Sequence, residues 1–179
     1  MNNRRSLREE LLQKKEYRIM RIAIVVIAAI VVIWSIMRGG NSSVEAERVF
    51  VSIEIKCDEL SNNMSALTDE SIRDYIPEDG YIVRSIDYQI KPGETTAFDI
   101  TNQVCQDENI QIEYNYTPGY GGYYVKGINY IYEFSAGKNS GWLYKVNDEI
   151  PSYSADQLKL QGGEKILWYY TIDYSKDNM

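Results

Sequence analysis

Two stretches near the carboxyl end decide the fold of this 179-residue chain, 141-GWLYKVND-148 and 160-LQGGEKILWYYT-171. In both stretches apolar or aromatic residues alternate with other residues, and a period of two is that of a β-strand. Turn-forming residues end the first stretch and open the second, so the pair predicts two strands joined by a compact loop. Aromatic side chains spaced in this way suit a surface that holds a ligand better than a site for proton chemistry.

The rest of the carboxyl-terminal region predicts further strands and two helices. Alternating residues predict strands at residues 49–55, 81–90, 110–116 and 123–134. Apolar residues at helical spacing predict an inserted helix over residues 58–76, which Pro77 and Gly80 end, and a main helix that starts at Thr95 or Thr96. This order predicts an α+β fold in which one sheet wraps a single main helix.

The amino-terminal region contains a candidate membrane anchor. Residues 22–37 have Ser35 as their only polar member, and basic residues outnumber acidic ones ahead of them. The positive-inside rule then places the amino terminus in the cytoplasm. The predicted organisation is a cytoplasmic basic segment at 1–21, a transmembrane anchor at 22–38, a tether at 39–47 and an extracellular domain at 48–174. A cleaved signal peptide is the alternative, although Val44-Glu45-Ala46 is a poor cleavage site.

Charge and composition narrow the classes of function. Residues 41–179 have 11 basic and 23 acidic side chains, a net charge of −12, and residues 1–40 have 8 and 3, a net of +5; together they give −7. A domain this acidic repels nucleic acid and anionic lipid headgroups. The chain contains no His, which removes Ser-His-Asp and Cys-His nucleophiles and His-containing zinc sites. We therefore expect no catalytic residues, no metal site, no cofactor and no enzymatic activity.

A motif in the last third carries a family resemblance. It reads SGWxYxVN from Ser140, then Pro151, then LxxGxxIxWxYT from Leu160. Over residues 49–171 the chain resembles the bacterial extracellular domain family related to the carboxy-terminal domain of transcobalamin and intrinsic factor. The resemblance implies a β-grasp domain of the soluble-ligand-binding kind, with no catalytic residues to carry over.

The resemblance also implies where a ligand would lie. In these relatives the loop between the two carboxyl-terminal strands is at the ligand-facing edge, and this loop corresponds to residues 147–156 here. Asp148 stands where relatives commonly have the Gly of an Asn-Gly turn. Tyr joins a large, rigid contact area to a polar tip, although it is also a common strand residue. Trp168 is expected in the core, and the predicted ligand-facing residues are Tyr120, Tyr123, Trp142, Tyr144, Asn147, Pro151 and Tyr153.

The chain has two cysteines, Cys57 and Cys105, at positions that both match the family pattern. On the exported side of a membrane a disulfide between them could persist. Two buried free thiols are the other interpretation, and the sequence leaves both open.

These observations lead to two hypotheses about function. The first is a membrane-anchored extracellular module that binds a soluble small molecule, with corrinoids among the candidates, or a cell-surface polymer. The alternative is a structural or interaction protein that docks another envelope protein through its Tyr-rich sheet. Both include contact with the membrane through residues 22–37, and neither includes nucleic acid.

Overall fold

The computed structural model describes residues 14–17, 20–21, 23–34, 48–119 and 121–176, and the chain divides into two compact units, residues 1–47 and 48–179. The first unit is helical wherever it is described, and all its described side chains are exposed. Within the described residues, no helix combines the length and the hydropathy that a bilayer span requires. The predicted anchor includes residues outside that part of the chain, so it stays a prediction.

The second unit is built from strands around one long helix. Its 3-10 helices are Met64–Ala66, Glu70–Tyr75 and Tyr174–Lys176. In the described part of this unit the α-helices are α1 (Asp58–Ser61) and α2 (Ala97–Asp107), and the strands are β1 (Val49–Lys56), β2 (Tyr81–Ile90), β3 (Ile112–Thr117), β4 (Gly122–Ile128), β5 (Ile131–Tyr132), β6 (Gly141–Val146) and β7 (Lys165–Thr171).

The strands form two sheets. The larger has the order β2-β1-β7-β6, in which the central β1 and β7 run parallel and the outer pairs run antiparallel. Strands β3, β4 and β5 form a smaller antiparallel sheet. The predicted α+β class is confirmed, but the single predicted sheet is replaced by two.

Helix α2 packs against the larger sheet. A reciprocal capping box starts the helix: the Thr96 hydroxyl accepts from the Asp99 N–H, and the Asp99 carboxylate accepts from the Thr96 N–H. The contact with the sheet includes a buried hydrogen bond of 2.7 Å from Trp168 Nε1 to Thr101 Oγ1. Trp168 is 4% exposed, so its predicted place in the core is confirmed.

Two predicted elements are interrupted. The inserted helix stops at Ser61, because the side chains of Asn62 and Asn63 donate to the Asp58 and Glu59 carbonyls and compete with helical bonding. Short 3-10 helices continue the insertion. The strand predicted over 123–134 is divided into β4 and β5 by a turn at Asn129 and Tyr130, both with positive φ.

Candidate functional site

The predicted ligand-facing loop lies against the tip of the β3–β4 hairpin. The Tyr123 N–H donates to the Asp156 carboxylate at 3.0 Å, and Gln157 Nε2 donates to the Gly121 carbonyl at 2.8 Å. Gly122 makes this approach possible, since a Cβ at this position would lie 1.9 Å from Ser154 Oγ. The structure therefore brings together Tyr123 and the loop that carries Tyr153, which are distant in sequence.

The loop begins with a tight turn whose conformation is fixed by hydrogen bonds. Asn147 and Asp148 have φ values of 52° and 67°, which Asn and Asp tolerate better than most residues. The Asn147 side-chain oxygen accepts from the Lys165 N–H at 3.0 Å, and the Asn147 N–H donates to the Lys165 carbonyl. Asn147 thus holds the loop to β7, while the half-buried Pro151 follows the turn.

Tyr144 supports Tyr153 from below. Its ring stacks on Trp168 with centroids 5.2 Å apart, and its hydroxyl donates to the Tyr153 carbonyl at 2.6 Å. Burial raises the pKa of Tyr144 well above its usual value, and the nearby Tyr153 and Asp156 add to the shift. The hydroxyl therefore stays protonated and keeps its hydrogen bond. We assign Tyr144 a positioning role, with Tyr153 as the exposed residue above it.

A cluster of aromatic rings lies around Tyr123 on the smaller sheet. The Tyr123 ring lies 4.9 Å from that of Phe98, 5.2 Å from that of Tyr114 and 6.1 Å from that of Tyr116, measured between centroids. Tyr116 is 61% exposed, Tyr123 39% and Tyr153 49%. We call these three exposed residues, Tyr116, Tyr123 and Tyr153, the aromatic edge.

Sequence reasoning did not select Tyr116 for the site, although a signal was present. Tyr116 is directly opposite Tyr123 in the β3–β4 register, and cross-strand neighbours share one face of a sheet. Placing the turn of this hairpin would have paired the two residues from sequence alone. Phe98, at the start of α2, could be brought under them only by the tertiary fold.

One predicted site residue, Trp142, lies elsewhere. Trp142 lies in the core and not on the ligand-facing surface: it is 4% exposed, its Nε1 donates to the Ile131 carbonyl at 2.7 Å, and its ring contacts Tyr170 edge-on. The reason is that β6 passes the smaller sheet at this end, so its inner face is covered there. Tyr120 lies outside the described residues.

The cysteines and acidic groups offer little reactive chemistry. Cys57 and Cys105 are free and buried, and burial raises the pKa of each thiol to about 12. Free thiols are one of the two interpretations that the sequence leaves open, and non-reducing mass mapping of the exported protein tests the other, a disulfide between them. Among the described residues, no group of three or more His, Cys, Asp or Glu side chains is placed to hold a metal ion. The tyrosine rings of the aromatic edge can stack on a ligand, and their hydroxyls can form hydrogen bonds with it.

Comparisons with known proteins identify similar chains. A family model described as a domain of unknown function (DUF4430) matches residues 94–171, from the turn before α2 to the end of β7. No curated protein matches significantly. A candidate metal-binding protein from Ruminococcus gnavus ATCC 29149 is similar in structure, with TM-score 0.40 and 12% identity over 69% of this chain and 96% of that one.

Haptocorrin, solved in complex with Cbi, is also similar, with TM-score 0.48 and 11% identity. That likeness covers 73% of this chain and 28% of haptocorrin. What each of these proteins binds is a property of that protein.

Proposed function

We propose that the chain is a membrane-anchored extracellular module whose β-grasp-like domain binds a soluble ligand or a cell-surface polymer at the aromatic edge. One observation carries the proposal. Tyr116 and Tyr123 on the β3–β4 hairpin, and Tyr153 on the loop that is hydrogen-bonded to this hairpin, are all exposed on a support that is otherwise tightly bonded. The proposal assigns no catalytic residue and no cofactor.

The support matters because a fixed surface loses little conformational entropy when a ligand binds. The Tyr153 backbone is held by Tyr144, and the Tyr123 backbone by Asp156. Ala155, two residues after Tyr153, accepts a hydrogen bond from the Phe98 N–H at 3.0 Å, which links the loop to α2. Tyrosine also has few rotatable bonds for its contact area, so exposed tyrosines on this support suit recognition.

Charge limits the class of ligand. Residues 41–179 have a net charge of −12, which disfavours polyanions such as nucleic acids. A neutral or cationic ligand with an apolar face fits the aromatic edge, because its apolar face can stack on tyrosine rings while its polar groups meet their hydroxyls. Corrinoids stay candidates through the resemblance noted in the sequence.

The anchor is proposed from the first unit. Residues 23–34 are helical and exposed, with apolar side chains on all sides, among them Ile24, Ile27, Val31 and Trp34. A helix that is apolar all round is suited to a lipid environment. With the basic side chains ahead of it, the amino terminus is expected in the cytoplasm and the second unit outside.

Labelling tests this orientation. In intact cells, an impermeant maleimide should label an Asn178→Cys variant and leave an Asn3→Cys variant unlabelled. The native thiols give little background because both are buried. Labelling at position 3 from outside would reverse the proposed topology.

Removal of one exposed ring tests the binding site. The full chain in detergent is screened by thermal shift against cyanocobalamin, dicyanocobinamide and a panel of neutral and cationic metabolites, since a bound ligand raises the melting temperature. With the best probe, Tyr153→Ala should weaken binding by about tenfold or more if Tyr153 is a hot spot. It should change the free energy of unfolding by less than about 1 kcal/mol, because the ring is exposed.

The matched control is Phe50→Ala, which removes an aromatic ring of similar exposure, 43%, from the larger sheet. Phe50→Ala should leave the affinity unchanged. An unaltered affinity in Tyr153→Ala, or equal losses in both variants, would remove the aromatic edge from the proposal. Saturable crosslinking to a second envelope protein that Tyr153→Ala abolishes, without any small-molecule ligand, would favour the docking alternative.

A further inference from the structure

The smaller sheet has a second aromatic face, opposite the one that carries Tyr116 and Tyr123. Because side chains alternate along a strand, Glu113 and Asn115 of β3 and Tyr124 of β4 lie on the outer side. The Tyr124 hydroxyl donates to the Glu133 carboxylate at 2.7 Å. Lys126 Nζ donates at 2.7 Å to the Asn115 side-chain oxygen, in the amide orientation that satisfies both groups.

A glycine lets one ring lie flat on this face. The β-sheet register places Glu113, Gly127 and Tyr132 side by side across β3, β4 and β5. A Cβ at Gly127 would lie 2.5 Å from Cδ1 of the Tyr132 ring and 2.7 Å from its Cε1. The Tyr132 ring therefore covers the backbone of β4 at Gly127, and a side chain at position 127 would displace the ring. Burial raises the pKa of Tyr132, and the Glu113 carboxylate raises it further, as expected for a neighbouring negative charge.

A pair of rings lies at the β4–β5 turn, where Tyr130 is two residues before Tyr132. Tyr130 follows Asn129 in the β4–β5 turn, and its ring centroid is 4.4 Å from that of Tyr75. Tyr130 is 44% exposed and Tyr75 42%. The turn is held by Asn129 Nδ2, which donates to the Tyr75 carbonyl at 2.7 Å, and by the Tyr130 N–H, which donates to Gln111 Oε1 at 2.9 Å.

The backbone of Tyr130 is in a conformation that favours glycine. Its φ is +62°, and a bulky residue is uncommon in the left-handed region. The second position of a two-residue hairpin turn with positive φ is typically Gly. A ring kept in a costly backbone position, half exposed and fixed by tertiary hydrogen bonds, indicates a role for the ring beyond forming the turn.

We propose that this outer face and the turn beside it, with the rings of Tyr75, Tyr124, Tyr130 and Tyr132 and the carboxylates of Glu113 and Glu133, bind a neutral oligosaccharide. The C–H faces of sugar rings are apolar and stack on aromatic rings, while sugar hydroxyls donate to carboxylate and amide oxygens and accept from ammonium groups. This face carries both aromatic rings for stacking and polar groups for hydrogen bonding. Its two carboxylates and one ammonium disfavour an anionic polysaccharide.

This inference does not depend on the aromatic edge. Tyr123 and Tyr124 are consecutive in β4 and project to opposite sides of the sheet. A ligand at one face therefore does not contact the rings of the other. Loss of binding at either face can be measured while the other stays intact.

The test is isothermal titration of the full chain in a detergent without a sugar headgroup, using cellohexaose, chitohexaose and laminarihexaose as probes. At least one hexasaccharide should bind saturably. Tyr130→Gly should weaken that binding at least tenfold, and this variant should fold normally because glycine suits the backbone at this turn. Glu113→Gln, which keeps shape and removes charge, should weaken it by a smaller factor.

The control is Tyr153→Ala, which alters the aromatic edge and should leave hexasaccharide affinity unchanged. No saturable binding of any of the three hexasaccharides would overturn the inference, and so would an unchanged affinity in Tyr130→Gly. A loss of hexasaccharide binding in Tyr153→Ala but not in Tyr130→Gly would move the sugar to the aromatic edge. A protein captured on this face in place of a sugar would likewise overturn it.

Discussion

The tryptophans of β6 and β7 and the tyrosines of the aromatic edge are aromatic side chains used in opposite ways. Trp142 and Trp168 are each 4% exposed, and each indole N–H has a buried acceptor at 2.7 Å. Tyr153 and Tyr123 leave 49% and 39% of their area in solvent. An indole can be buried with little loss of free energy when its single N–H donor has a hydrogen-bond acceptor. A tyrosine can instead expose its apolar ring to a ligand while its hydroxyl remains hydrated.

The strongest test of this contrast is removal of a core ring. Trp168→Ala should lower the free energy of unfolding by about 3 to 5 kcal/mol, because it leaves a cavity. The Tyr144 ring also loses the surface on which it stacks. Chemical denaturation of the purified chain measures the loss. Trp168→Phe, which retains much of the volume, should cost less, and a loss below about 1 kcal/mol in Trp168→Ala would contradict a core role.

A smaller effect is expected where the loop meets the hairpin. Gly122→Ala should cost about 1 to 3 kcal/mol, because the added methyl overlaps Ser154 Oγ and must displace the loop. It should also weaken ligand binding at the aromatic edge, since Tyr123 and Tyr153 would no longer keep their relative positions. Gly119→Ala is the matched control, because nothing lies within 4 Å of a Cβ at that position. Equal effects of the two substitutions would mean that the loop does not rest on Gly122.

The smallest effect concerns a single hydroxyl. Tyr144→Phe keeps the ring on Trp168 and removes the hydrogen bond to the Tyr153 carbonyl, which should cost about 1 kcal/mol of unfolding free energy. Affinity at the aromatic edge should fall as Tyr153 becomes less ordered. Tyr174→Phe removes a hydroxyl whose contact, with the Lys138 carbonyl, is 3.5 Å long, and it should change neither quantity. Full affinity in Tyr144→Phe would deny Tyr144 its positioning role.

Several features of the fold were predictable because their causes are local. The start of α2 follows from Thr96 and Asp99, three residues apart, whose reciprocal hydrogen bonds need no other part of the chain. Strand alternation places Ile166, Trp168 and Tyr170 on one face, and the family resemblance identifies this face as the core. The α+β class follows from the order of such elements.

Other features depend on neighbours distant in sequence. Trp142 and Tyr144 share one face of β6, so alternation predicts the same environment for both. The structure separates them: Trp142 lies under the smaller sheet, where its Nε1 meets the Ile131 carbonyl, and Tyr144 lies nearer the loop. The alternation of residues along a strand predicts which face of the strand each side chain occupies. It does not predict which other element packs on that face at a given residue.

Most strands and the main helix of this protein, the acidity of its carboxyl-terminal region, and the loop that carries Tyr153 can be predicted from the amino-acid sequence. The strands, the helix and the loop depend on residue types and spacings within short segments, and the acidity depends on composition. None of these properties requires contacts between segments that are distant in sequence. Which aromatic rings remain exposed, and which segments carry them side by side, depends on the packing of those segments. The aromatic edge joins β3, β4 and the loop after β6, and the face of Tyr132 depends on the missing side chain of Gly127. Such juxtapositions arise when separate segments pack, and no local pattern encodes them.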